Sequence, residues 1–320
     1  MDSYLVLQPS TLYLKGQHAR ASKGSNVKFD RAVKIIVVCA IVLGSVEFVR
    51  SQTFRLLGMV VRGRSQCPFA QTMTSMDSVE SIVATKKRIN SSMRLIQTDG
   101  ALQLWNTPRG RMWIPSSSVK WMPLVLAEQE ERIYGKGQWE VRKGDIVLDC
   151  GAAMGEFTRT ALDRGASMVV AIEPDPQKEP CLRRNFDSEI KAGRVIVYPK
   201  GVWNKEESLK LYDDSLVEKR QEAGVVVPLT MIDTLVAELH LPRVDFIKMD
   251  IEGAEKQALA GGRGTIQKYH PRLSIATEHL PDDAVAIPRL VLSIAPSYKV
   301  ECGPCEWADN HIRPQVVYFQ

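Results

Sequence analysis

The sequence predicts an α/β protein: a Rossmann-like, mostly parallel sheet of seven strands with an antiparallel C-terminal edge hairpin, plus an N-terminal appendage. Three observations carry this. Short apolar, β-branched runs at residues 146–148, 168–172, 195–198, 244–249 and 273–277 alternate with stretches of helical periodicity. The first run leads into a loop containing Gly151 and Gly155, then into a helical pattern over 156–163 closed by Gly165. Two final runs, 298–302 and 315–319, close the sheet as a terminal hairpin.

A chain of 320 residues can bury one sizeable core and an appendage. Its net charge is +5, with part of the excess in the first 64 residues. That distribution favours a basic N-terminal segment over a nucleic-acid stripe, so no nucleic-acid partner is expected. Six cysteines scattered through such a length make no disulfide framework, which favours a reducing compartment.

In chain order, residues 1–64 are basic and low in periodicity, and they read as disordered except for an apolar run at 35–46. That run is bounded by Glu47 and Arg50 and falls short of the roughly 20 residues that a membrane span needs. It fits a signal-peptide core or a single-pass signal anchor. It fits equally a short docking helix, or an over-extended start with initiation at Met59, Met73 or Met76. A cytoplasmic chain and one held at a membrane through 35–46 are both consistent with this.

Residues 65–97 read as a linker with one helix over 79–89. Residues 98–143 read as a cover made of a β-hairpin and a helix. The hairpin turns at Thr107-Pro108-Arg109-Gly110, with Pro at the second turn position, and could lie across the mouth of the main domain. Trp105 and Trp113 suit its core better than ligand stacking. A charged helix follows over 127–134, with Leu126, Gln129 and Ile133 on its packing side. Residues 144–320 then form the main domain. Within it, 208–212 and 225–229 look like an inserted antiparallel pair.

Chemistry concentrates at the carboxyl ends of two strands. Asp149 ends the first and is followed by Asp-x-Gly-x-x-x-Gly rather than Gly-x-Gly-x-x-Gly. A pyrophosphate site offers only N–H donors, and a carboxylate there would repel it. A nucleoside carrying positive charge and no phosphate suits the position, which points to S-adenosylmethionine (SAM). The glycines would let the backbone approach that ligand closely. Glu173, 24 residues on and ending the second strand, would accept both ribose hydroxyls. Asp175 or a backbone group near Val202 would approach the adenine.

The second stretch is Asp245-Phe-Ile-Lys-Met-Asp-Ile-Glu-Gly-Ala-Glu255. A buried strand runs into Asp250 and Glu252, which should face the same crevice as Asp149 or else cap the following helix. Glu278 and His279 follow the fifth strand at that same end. Asp250, Glu252, Glu278 and His279 are the candidates for a general base, with His the usual one near neutral pH. Lys248 could pair with Glu252 or Glu278. Asp250, Glu252 and Glu278 offer hard oxygen ligands, but nothing in their spacing fixes a geometry, and no metal is assigned.

With these motifs in hand, residues 147–158, 171–174 and 245–255 resemble the FkbM family of SAM-dependent methyltransferases. So do 228–235 and the Trp-Asn-Thr-Pro-Arg-Gly turn. The similarity covers roughly residues 95–320. Cys150, Ala153 and Met154 depart from the commoner Val, Asn and Ile, while the acidic and glycine positions are intact. The resemblance implies a class I methyltransferase sheet and O-methylation of a hydroxyl on a sugar, glycolipid or secondary metabolite. It implies a cofactor site formed by Asp149, Gly151, Ala152, Gly155, Phe157, Thr158, Glu173, Pro174, Val202 and Asp250. The expected partner is a small-molecule or glycan hydroxyl acceptor.

Two other functions compete. One is a membrane-tethered protein that binds SAM without turnover. The other is an NAD(P)-dependent oxidoreductase, disfavoured by Asp149 and by the missing third glycine. Cys302-Gly-Pro-Cys305 spells a redox motif but falls in a loop between the last two strands, the wrong context for one.

Overall fold

The computed structural model of the chain describes residues 66–67, 69–212, 215–217, 224–308 and 311–320. The expectations for residues 1–64, including the apolar run at 35–46, lie outside these. Among the described residues no helix is long and apolar enough to cross a membrane.

The described chain begins with a helix, Phe69–Ser92, followed by β1 (Arg94–Asp99), β2 (Leu102–Thr107) and β3 (Gly110–Pro115). The stretch read as a linker therefore holds a 24-residue helix and a strand. The helix has Ile82 and Ile89 buried, and Ser81 and Thr85 donate hydrogen bonds to Glu131. Its overall polarity hides so narrow an apolar stripe.

The expected hairpin forms as β2 and β3, closing at Thr107 and Gly110, and β1 adds a third strand. Thr107 Oγ1 accepts from the Arg109 amide at 3.1 Å, and Gly110 takes φ 103°, so the turn chemistry is local. The hairpin rests on flanking helices instead of crossing the strand ends. Arg109 donates to Thr160 and Asp163 at 2.9 Å each, and the Trp113 amide donates to Asn185 at 2.7 Å. Trp105 and Trp113 pack against the core, as expected.

After the helix Met122–Glu131, the main domain supplies β4 (Ile146–Cys150), β5 (Met168–Ile172), β6 (Val195–Tyr198), β7 (Gly201–Val202), β8 (Glu207–Tyr212), β9 (Ser215–Val217) and β10 (Val225–Thr230). It continues with β11 (Phe246–Met249), β12 (Arg272–Ala276), β13 (Val300–Cys302), β14 (Cys305–Ala308), β15 (His311–Pro314) and β16 (Val316–Phe319). Seven of them form the central sheet, in the order β13-β16-β12-β11-β4-β5-β6. All neighbours from β12 to β6 are parallel, and β16 runs antiparallel to both β12 and β13. This is the predicted Rossmann-like, mostly parallel seven-stranded sheet, with its antiparallel edge. The inserted pair, β8 with β10, grows into a four-stranded sheet with β7 and β9.

The sheet is buried on both faces, so its strands read as apolar runs. Along β4, Val147 packs with Phe157, Ala161, Leu182 and Phe246 on one face. Ile146, Leu148 and Cys150 pack on the other with Ile232, Ala258, Ile266 and Ile287. The cover helix adds Leu126 and, just beyond its end, Ile133 to the first face, and Gln129 is buried with them.

The cysteines correct one expectation. Cys67 and Cys305 form a disulfide, tying the start of the described chain to β14, while Cys150, Cys181 and Cys302 are free. A pair separated by 238 residues leaves no spacing signature. Cys305 is thus committed to Cys67, and the Cys302–Cys305 segment is no redox couple in this structure. Proteolysis without reductant should yield a linked peptide pair containing Cys67 and Cys305. Cys305→Ser should lower the unfolding free energy by about 2–5 kcal/mol in denaturant titration. Unlinked peptides and unchanged stability would contradict the bridge.

Candidate active site at the sheet switch point

Strand order reverses between β4 and β11, and ligands of open α/β sheets bind at the carboxyl ends flanking such a point. Asp149 and Lys248 stand opposite each other in this parallel ladder. Their neighbours Val147 and Phe246 belong to one core face, and the period of two puts Asp149 and Lys248 on it as well.

Both are almost fully buried, Asp149 at 0% and Lys248 at 4% side-chain exposure, with Lys248 Nζ 3.5 Å from Asp149 Oδ1. Thr158 donates to Asp149 Oδ2 at 2.7 Å. Lys248 also donates to the Gly151 carbonyl at 2.8 Å and lies 3.9 Å from Asp250 Oδ2. Burial alone would lower the ammonium's pKa, but Asp149 and Asp250 outweigh it and keep it above the ordinary lysine value. Asp149 is therefore matched by an internal cation, not left open for a cationic ligand, and Lys248 pairs with Asp149 and Asp250 rather than with Glu252 or Glu278.

The glycines answer to the chain itself. A Cβ on Gly151, at φ 77°, would lie 1.9 Å from the Asp250 carbonyl oxygen, and one on Gly155, at φ 99°, would lie 2.0 Å from the Phe186 ring. The amides of Gly151 and Ala152 both donate to the Ile172 carbonyl, at 3.0 Å each. Close approach of backbone to backbone, more than of backbone to ligand, sets this loop.

Glu173, at the end of β5, clamps the loop. Its Oε2 accepts from the Ala153 amide and its Oε1 from the Asp175 amide, both at 2.9 Å. Burial pushes its carboxyl above the usual range, although Lys178 and the two amides pull it down. Pro174 and Asp175 follow, both half-buried. Phe157 instead faces the core, 6.0 Å from Phe246 and edge-on to Tyr134 at 5.8 Å. Thr158 is spent on Asp149. Val202 is buried in β7, paired with β10.

The β11 and β12 ends meet as expected. Tyr134 donates to Asp250 Oδ2 at 2.6 Å. His279 Nε2 lies 3.4 Å from Asp250 Oδ1 and 3.6 Å from Glu252 Oε2, and its Nδ1 is 3.0 Å from Glu255 Oε1. Glu255 also accepts from the Ile251 amide at 2.9 Å. The helix Glu255–Ala260 starts at Ala254 with no side-chain cap, so Asp250 and Glu252 are not capping residues. Asp245 sits at the other end of β11, accepting from the Ile146 amide.

Burial would raise the Asp250 carboxyl, but Lys248, His279 and Tyr134 hold it below the usual range. Burial would lower the His279 imidazole, yet the hydrogen bond to Glu255 and the charges of Asp250, Glu255 and Glu252 lift it to about 10. With no cation bound beside it, these carboxylates favour the protonated ring at neutral pH. Burial, followed by Glu306, Asp250 and Glu128, pushes the Glu278 carboxyl well up. Burial and then Asp250 lift Glu128 to about 8.

Sequence reasoning missed Tyr134, Glu255 and Glu128. Tyr134 follows the cover helix with no motif around it. Glu255 stands one turn beyond Asp250 and Glu252 in the same acidic signature and could have been found there.

The folded pKa of His279 exceeds its ordinary 6.5. The stability its protonation contributes is therefore complete below about pH 6.5 and disappears as pH rises through about 10. In chelator-treated buffer, the ring's NMR titration midpoint should lie near 10, and His279→Gln should flatten the stability slope over that window. A midpoint near 6.5 would contradict the triple-carboxylate cage.

Residues 149–297 match the family model described as the methyltransferase FkbM domain. The 2-O-methyltransferase NoeI of Sinorhizobium fredii (strain NBRC 101917 / NGR234) is 26% identical over 179 residues, covering 48% of this chain and 72% of that protein. Among solved structures, the methyltransferase FkbM from Methylobacillus flagellatus KT is 20% identical with a TM-score of 0.45. The alignment covers 76% of this chain and 59% of that one. TYW2 of M. jannaschii, solved in complex with AdoMet, is 15% identical with a TM-score of 0.41, covering 71% of this chain and 90% of that one.

Proposed function

We propose that this chain, whose residues 149–297 match the FkbM methyltransferase domain, uses SAM to methylate a hydroxyl oxygen on a sugar, glycolipid or secondary metabolite. The observation that carries the proposal is the ring of carboxylates around the switch point. Glu173, Asp250 and Glu252 surround the strand ends, and Asp250 and Glu252 keep side-chain exposures of 27% and 49%. Such a ring favours a ligand with positive charge and opposes phosphates. NoeI, named a 2-O-methyltransferase, supports oxygen as the acceptor atom.

The donor set fits SAM. Each Glu173 oxygen accepts one amide and keeps a lone pair for a ribose hydroxyl. Asp250 would carry negative charge beside the methionine end of the cofactor or the acceptor. Asp149 would act through Lys248, by fixing the loop, and the backbone of 151–155 would frame the ligand. Bound SAM supplies an electrophilic methyl. The protein's own part is to align the acceptor oxygen within about 3–3.5 Å of it. The surrounding carboxylates hold His279 toward its protonated form and Lys248 holds Asp250 below the usual carboxylate range, which weakens both as bases, whereas burial raises the Glu278 carboxyl.

Radiolabelled SAM incubated with panels of glycans and small alcohols should label a hydroxyl. Glu173→Gln should weaken SAM binding about 10-fold by calorimetry, a loss of about 1.4 kcal/mol. Tight SAM binding with no labelled product in any panel would favour the binding protein without turnover. Unchanged affinity in Glu173→Gln would remove the ribose role.

A further inference from the structure

We propose that Asp250, Glu252 and His279 form a divalent-cation site of the Mn²⁺/Mg²⁺ class that holds two neighbouring oxygens of the acceptor. One atom from each residue falls within 4.8 Å of the others. His279 Nε2 is 3.4 Å from Asp250 Oδ1 and 3.6 Å from Glu252 Oε2. A cation with bonds of roughly 2.1–2.4 Å spans such pairs at angles of roughly 100–110°. Three ligands on one side leave the remaining positions of an octahedron open.

The arrangement behind the ligands is that of a metal site. His279 Nδ1, turned away from the other two ligands, lies 3.0 Å from Glu255 Oε1, so that when a metal displaces the Nε2 proton the ring keeps its Nδ1 proton and presents Nε2. Glu255 is fully buried, and its Oε2 has no hydrogen-bond partner among the described residues. Asp250 is oriented in the same manner: Tyr134 donates to Oδ2 and leaves Oδ1 for the cation. Charge agrees with this. The four carboxylates of Asp149, Asp250, Glu252 and Glu255 converge on Lys248 and the imidazole, a concentration of negative charge that a divalent ion would meet. Two carboxylates and one imidazole suit a hard or borderline metal better than a thiophilic one.

The role of the ion rests on the methyltransferase reading, whereas its binding does not. Two vicinal hydroxyls would take two of the three open positions, with water in the third, and the metal would acidify the hydroxyl that reacts. That hydroxyl's proton passes to solvent. Its oxygen then forms the O–CH₃ bond as the S–CH₃ bond breaks, and the electron pair stays on sulfur.

The test uses the full chain, chelator-stripped and free of SAM, with Mn²⁺ followed by electron paramagnetic resonance. One equivalent should bind and be displaced by Mg²⁺. His279→Ala should weaken binding at least 100-fold, and Glu255→Gln 10- to 100-fold with unchanged circular dichroism. Glu252→Gln, at a half-exposed position, should weaken it about 10-fold without any question of folding. No binding by the wild-type chain, or equal affinity in Glu252→Gln, overturns the site. Methyl transfer that persists in chelator overturns the ion's role alone. Mn²⁺ binding without methyl transfer to any acceptor leaves the site standing and removes the function proposed above.

Discussion

The structure depends on one ammonium group buried in the middle of a sheet. Lys248 lies on β11, next to β4 at the reversal of strand order, with its side chain 4% exposed. A buried charge is tolerated only when it is paired and hydrogen-bonded. Lys248 meets that demand with Asp149 on the neighbouring strand, Asp250 on its own, and the Gly151 carbonyl from the loop between β4 and its helix. Two segments distant in sequence, 149–151 and 248–250, are thereby held to one point.

A series of constraints spreads from that point. The Lys248–Gly151 contact draws the loop against the end of β11, so that position 151 has no space for a side chain. The same ammonium keeps Asp250 ionised, and Asp250 in turn receives Tyr134 from the cover and faces His279 from β12. Tyr134 also lies under Lys248, its ring centre 5.2 Å from Nζ, so the cover is tied to the sheet by charge and ring together. Replacing such a buried pair with apolar side chains need not weaken a fold. Its value here is positional: it decides where the carboxylates at the crevice stand.

Much of this was legible in the sequence. The order of apolar runs and helices pointed to a parallel sheet, and the positions of Asp149, Glu173, Asp250 and His279 after strands put them at one edge. The features that escaped depended on pairings between distant residues. Asp149 reads as a receptor for a ligand's cation until the ladder places Lys248 opposite it. His279 reads as a base until three carboxylates converge on it from one loop and helix. The Cys67–Cys305 bridge and the third strand of the cover likewise join segments with no shared local pattern. Phe157 and Val202 sit within or beside the recognisable motifs, yet they serve the core, because adjacent residues on an element point to different sides.

Lys248→Met tests the central claim most directly, since it keeps an unbranched side chain, one atom shorter, and removes the ammonium with its charge and donors. Stranding Asp149 without its cation should lower the unfolding free energy by about 3–5 kcal/mol in urea titration, and SAM affinity should fall with it. Stability within about 0.5 kcal/mol of the parent chain, with SAM bound as tightly as before, would contradict the account.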